Sequence, residues 1–176
     1  HTHMFFELAE KEGQPLDAAI VVGVDPLTLL SSQAIAPMDF DELEIAGALQ
    51  GRPLPVVKCV NSEIRVPAEA EIVIEGKILP KVREPEGPFG EFTGYYGNPA
   101  SMQPVVRVRR VYHRNDPILV GVPPMGAGPD EMARYRAVMR SATIKQNMTN
   151  AGVPDVQQVW CHEVGGARMF HGVSIK

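Results

Sequence analysis

The chain has little that would tie it to nucleic acid, to a membrane or to an oxidising compartment. Its 17 Lys and Arg are outnumbered by 21 Asp and Glu, giving a net charge of −4. Phosphate backbones are bound by basic faces, so this balance argues against a nucleic-acid partner. The densest basic stretch, Arg107 to Arg114, alternates like a strand and reads as a solvated sheet face. No apolar run approaches the roughly 20 residues that a spanning helix needs. Cysteine is scarce. Cys59 and Cys161 are the only two, and their separation matches neither a metal nor a redox spacing. That excludes a disulfide framework and points to reduced thiols and a cytoplasmic setting. There is no internal repeat and no low-complexity tract.

What is present is an ordinary globular composition, 44% hydrophobic and 22% charged over 176 residues, enough for one domain with a proper core. A short helix is predicted over Met4 to Glu12, closed by Gly13 and Pro15. "LDAAIVVGV" reads as a buried strand. Asp25 caps a following helix whose first turn holds Pro26. Asp39 or Asp41 caps "DELEIAGALQ", which Gly51 and Pro53 end. Gly47 inside that helix suggests close packing. Strands are expected at "LPVVKCV", "EIRVP", "AEIVIEGKI", "VVRVRRVYH" and "DPILVGV". A long helix from Pro129 to Gly152 precedes two last strands, "DVQQVWCHEV" and "ARMFHGVSIK". Helices first and a cluster of strands after them make the class α+β. Both ends read as cut, which suggests a portion of a longer protein.

The least ordinary segment is "EPEGPFGEFTGYYG", Glu84 to Gly97. Glu86 and Glu91 flank a turn in which Pro88 restricts φ, while Gly87 and Gly90 open backbone angles closed to other residues. Phe89 offers an apolar anchor. Two nearby carboxylates repel as anions, which favours keeping a proton on one of them, the arrangement of an acid–base catalyst. A Gly, Pro and Glu-rich surface loop is the plainer reading of the same residues.

Three motifs together make the chain resemble the UbiD-like family of reversible (de)carboxylases that use prenylated FMN. They are "APMDFDELEIAGALQG", "VVKCVNSEIRVPAEAEIVIEG" and "PEGPFGEFTGYY". The resemblance runs over the whole chain and implies a split β-barrel flavin-binding domain with surrounding helices across residues 1–176. It implies that Glu86 joins an ionic network and that Glu91 protonates the carbon left after CO2 departs. It makes Glu42 and His1 ligands of a divalent metal, usually manganese. It places Ser32, Gln33 and Ala34 in the loop whose backbone approaches the flavin and a monovalent ion, K+. The resemblance also puts the network's Arg and the metal site's Asn upstream of this segment, and a further domain downstream of it. Arg52, Arg65 and Arg83 do not align with that Arg.

Read from the residues alone, Glu42 is a first-turn helix acid favoured by the helix dipole, and His1 could come from an expression tag. His113, His162 and His171 have no partner spacing. Cys59 reads as a small buried hydrophobe, and Tyr95 and Tyr96 fit a pocket wall or an interface equally. The function implied is non-oxidative decarboxylation of an aromatic, heteroaromatic or α,β-unsaturated carboxylic acid, in a homo-oligomer. A non-catalytic flavin-binding or assembly module of the same fold is the alternative. An FMN oxidoreductase is a third, weakened because hydride transfer gives no reason for the paired acids.

Overall fold

The computed structural model describes residues 2–34, 40–91, 95–119, 121 and 131–176. Helix α1 (Thr2–Lys11) leads into strand β1 (Leu16–Val22), then helices α2 (Pro26–Ser31) and α3 (Glu42–Gln50). Both short helices start as their sequences dictate. The Asp25 carboxylate accepts hydrogen bonds from the N–H groups of Leu27 and Thr28, with Pro26 at the first helical position, and Asp41 caps α3 by accepting from Leu43. Gly51 ends α3 in the left-handed conformation, φ 69°. The close packing expected at Gly47 is present, since a Cβ there would stand 3.2 Å from the Arg52 carbonyl oxygen.

Strands β2 (Val56–Lys58) and β3 (Arg65–Pro67) form an antiparallel hairpin. The long strand β4 (Ile72–Glu86) is central to a three-stranded antiparallel sheet of order β1–β4–β7, where β7 is Ser101–His113. Between these two strands sits a small hairpin, β5 (Phe89–Gly90) with β6 (Tyr96–Asn98). The core of this part is Cys59, Val66 and Val73, with Ala19, Val21, Ile64 and Tyr112 packed around them. Cys59 is therefore the buried hydrophobe its sequence context suggested.

Helix α4 (Glu131–Asn150) packs on a last antiparallel hairpin, β8 (Val156–Cys161) with β9 (His171–Ile175). Ala137, Cys161 and Ala167 are fully buried between them, and Ser141 Oγ receives the Cys161 N–H at 2.9 Å. Arg136 of α4 reaches back to the first part, its Nε donating to Gln33 Oε1 at 3.2 Å.

The mixed helix-and-strand class holds, and among the described residues the strands close no barrel. Several strand boundaries depart from expectation, among them β7, which begins at Ser101, and β9, which begins at His171. β4 runs on to Glu86 through Pro80 and Pro85. β1 accompanies it only to the pair Leu16–Ile78, so beyond that point β4 is an edge strand on one side, where a missing N–H is tolerated. "DPILVGV" carries no strand over residues 116–119 and 121, and Val120 and Val122 lie outside the described residues. The strand expected to reach Val164 stops at Cys161, and Glu163–Gly165 is a 3-10 turn capped by His162, whose Nδ1 accepts from Val164 N–H. The Gly165-Gly166 pair was the available signal for that turn.

Candidate active site

Glu86 is the last residue of β4 and lies opposite Ser101 of β7. The chain then turns at Gly87, whose φ of 91° needs glycine, passes Phe89–Gly90 and reaches Glu91. The Glu91 N–H donates to the Tyr95 carbonyl at 3.0 Å, closing the hairpin that returns through β6. Gly97 then passes directly beneath the acid. A Cβ on Gly97 would lie 2.7 Å from Glu91 Cγ, so the missing side chain is the space that Glu91 occupies.

This path brings the two acids together. Glu86 and Glu91 line one cavity of about 160 Å3, along with Phe89, Asn98, Ser101 and Gln103. Gln103 Nε2 donates to Ser101 Oγ at 2.8 Å on its wall. The cavity is smaller than the roughly 300–1,000 Å3 of complete small-molecule pockets, so it has room for the reacting end of a small acid. Both carboxylates are on exposed segments. The anchoring expected of Phe89 does not occur, because that ring is 61% exposed. The hairpin and the Gly97 contact constrain the turn instead. Tyr95 and Tyr96 are exposed beside it.

A larger hollow lies elsewhere. About 660 Å3 lies between α2, α3 and β3, walled by Asp25, Gln50, Arg52, Leu54, Pro67 and Glu69. It contains neither acid of the turn. Its Asp25 carboxylate is already engaged by the α2 cap and by Gln50 Nε2 at 3.1 Å, so size alone does not recommend it.

Ser32, Gln33 and Ala34 form the closing turn of α2. Their N–H groups donate to Thr28, Leu30 and Ser31 carbonyls at 3.1, 3.1 and 2.9 Å. These N–H groups are therefore engaged within the turn, and the Gln33 amide is held by Arg136. Glu42 stands in the first turn of α3, half-buried, where it also serves as a helix acid. His1 lies outside the described residues. Among the described residues no three His, Cys, Asp or Glu side chains gather closely enough to hold a metal ion.

Sequence reasoning missed the parts of the site that are not acids. Asn98, Ser101 and Gln103 line the cavity because β6 and β7 return beside β4, and nothing in their local sequence marks them. Gly97 sits in a Tyr-Tyr-Gly-Asn-Pro turn pattern that points to a turn but not to the contact it makes.

Residues 1–127 match the family model described as UbiD, 3-octaprenyl-4-hydroxybenzoate carboxy-lyase Rift-related domain. An anhydromevalonate phosphate decarboxylase of Methanothermobacter thermautotrophicus is 34% identical over 183 residues, covering 100% of this chain and 40% of its own. A phenolic acid decarboxylase of Bacillus subtilis is 46% identical over 110 residues, 62% of this chain and 23% of the relative. Among solved structures, the UbiD-class enzyme HmfF of Pelotomaculum thermopropionicum in complex with FMN has a TM-score of 0.89 at 44% identity. That match covers 99% of this chain and 38% of the other. The chain thus spans 40% or less of the length of each of these relatives.

Proposed function

From the premise that this chain belongs to the UbiD family, we propose that residues 1–176 form the flavin-binding part, with its split-barrel element, of a prenylated-FMN-dependent decarboxylase. Its substrate would be an aromatic, heteroaromatic or α,β-unsaturated carboxylic acid. The observation that carries this reading is the shared cavity of Glu86 and Glu91. A turn that places two carboxylates on one small hollow, with a glycine cleared beneath one of them, suits proton handling at a single carbon.

The prenylated flavin, when bound, supplies the electron sink for carbon–carbon cleavage. The protein's own part is orientation and proton delivery. The bond to the carboxyl carbon breaks and CO2 leaves; the electron pair left behind would be drawn into the sink and return to the former α-carbon as that carbon is protonated. Glu91, in its acid form, gives that carbon its proton, becomes a carboxylate and is reprotonated from solvent. Glu86 lies across the cavity and orients the acid. In the reverse direction Glu91 takes the proton back.

The cofactor's environment fits in part. The α2 turn at Ser32–Ala34 has its N–H groups already used, so what it offers is carbonyl oxygen, which suits a monovalent cation such as K+. Glu42 supplies the oxygen donor a hard divalent ion favours. Manganese would be held by Glu42 and His1. Homo-oligomerisation and a cytoplasmic setting complete the reading; no helix among the described residues is long and apolar enough to cross a membrane.

The test is CO2 release by the full-length protein, produced with a flavin prenyltransferase and manganese, over a panel of the three acid classes. Release dependent on the prenylated flavin supports the proposal. Bound flavin with no turnover of any acid in the panel would favour the non-catalytic module.

A further inference from the structure

The arm that carries the acids is separated from the body of the sheet by a break in β4. Pairing between β4 and β7 lapses after Ile78–Val106 and resumes at Arg83–Pro104. Within the break Lys81 adopts φ 59°, the left-handed region that a lysine rarely occupies. Beyond the break, residues 83–86 are held by β7 alone, because β1 stops pairing at Leu16–Ile78.

A carboxylate from another element spans this break. Glu10 of α1 accepts the Lys81 N–H through Oε1 at 2.7 Å and the Arg83 guanidinium through Oε2 at 2.9 Å. Arg83 also donates from Nη1 to the Val82 carbonyl at 3.1 Å, and its guanidinium lies over the Phe6 ring, 5.1 Å from the centroid. Phe6 is the buried residue of α1, so the clamp is rooted in packed structure. The hydrogen bond from Arg83 and then that from Lys81 hold the Glu10 carboxyl below its ordinary value, while Glu10 raises Arg83. The pair is thus ionised across the neutral range.

We propose that Glu10 and Arg83 are positioning residues, which fix the acid arm against α1 and thereby set where Glu86 and Glu91 stand. Glu86 follows Arg83 by three positions in the same strand, so a swing at the break is carried directly to the cavity. The proposal rests on the proton-handling reading of that cavity and adds to it a contact that touches neither substrate nor flavin. Arg83 does not align with the Arg of the family's ionic network, and the clamp gives it a different task.

The test uses the full-length protein, its Glu10→Ala and Arg83→Ala variants and their double. Amide hydrogen exchange is measured without flavin, comparing residues 83–86 and 101–104 with residues 72–78. Each single variant is expected to speed exchange in the arm by about tenfold while leaving 72–78 unchanged. The double should cost less than the sum of the two singles, because they share the Glu10–Arg83 contact. With flavin bound, kcat should fall about tenfold while KM changes less than about twofold, and Arg83→Lys should restore part of it. Unchanged exchange in the arm, a rise spread equally along β4, or unchanged kcat overturns the proposal. The exchange measurement is independent of chemistry, whereas turnover by Glu91→Gln decides the proton-donor reading separately.

Discussion

Two of the three glutamates of strand β4, Glu75 and Glu86, stand in opposite circumstances. Glu75, in the half flanked by both β1 and β7, is 1% exposed. Its Oε1 accepts the Asn61 N–H at 2.8 Å, and its Oε2 accepts Asn61 Nδ2 at 3.0 Å together with the Tyr112 hydroxyl. Burial pushes this carboxyl up, but the hydrogen bonds from Tyr112 and Asn61 outweigh burial and hold it below the ordinary value of 4.5. Glu86, in the half paired with β7 alone, is exposed at the edge of a cavity. One strand thus carries a carboxylate that ties the β2–β3 loop to the sheet, and another left exposed on a cavity wall. Burial alone would have nominated the wrong acid.

The sharpest way to break this contrast is to remove each acid in turn. Glu91→Gln should lower decarboxylation by about 10²–10⁴-fold, the usual range for a positioned acid, while the melting temperature of the chain stays near that of the parent. A variant that decarboxylates as fast as the parent would remove Glu91 from the proton-donor role. Glu75→Gln should do the opposite, costing roughly 1–3 kcal/mol of stability in urea unfolding, with kcat little altered in the folded fraction. Equal stability of the two proteins would show that the Asn61 and Tyr112 contacts contribute nothing net.

Acid sensitivity should follow the buried residue. Unfolded, Glu75 takes up its proton near the ordinary 4.5; folded, it does so only at lower pH. The unfolded state therefore binds more protons in between, and stability falls with falling pH there. The contribution of Glu75 is complete above about pH 4.5 and drains away as pH drops through its lower folded value. The acid limb of a melting-temperature profile should be flatter in Glu75→Gln than in the parent.

Smaller effects refine the picture. Gly97→Ala should displace Glu91, because the added Cβ would meet its Cγ at 2.7 Å, lowering kcat by about tenfold with the melting temperature shifted by only a few degrees. An unchanged kcat would mean that Glu91 works from more than one position. Lys58→Met, which removes an exposed ion pair with Glu63, should change stability by under about 1 kcal/mol. A larger loss would show that the β2–β3 hairpin is held from outside and not by Glu75.

Legibility in the sequence followed the range of the interaction. The caps at Asp25 and Asp41, the stop at Gly51 and the close packing at Gly47 were readable because each needs only a few neighbouring residues. The acid pair was readable for the same reason: Glu86 and Glu91 share one turn. The extension of β4 through two prolines was not, because it depends on where β1 stops pairing. Phe89 was misjudged because an apolar side chain anchors a turn only if something stands opposite, and nothing local says whether it does.

By itself, the sequence determined the ends of the short helices and the presence of two acids on a constrained turn, since these are settled by backbone preferences and short-range hydrogen bonds. Only the tertiary structure decided which carboxylate is consumed by the core and which stays exposed on a cavity. Tyr112 lies 37 positions from Glu75, and Arg83 lies 73 from Glu10. Hydrogen bonds between such distant residues exist only once the sheet has brought its strands together.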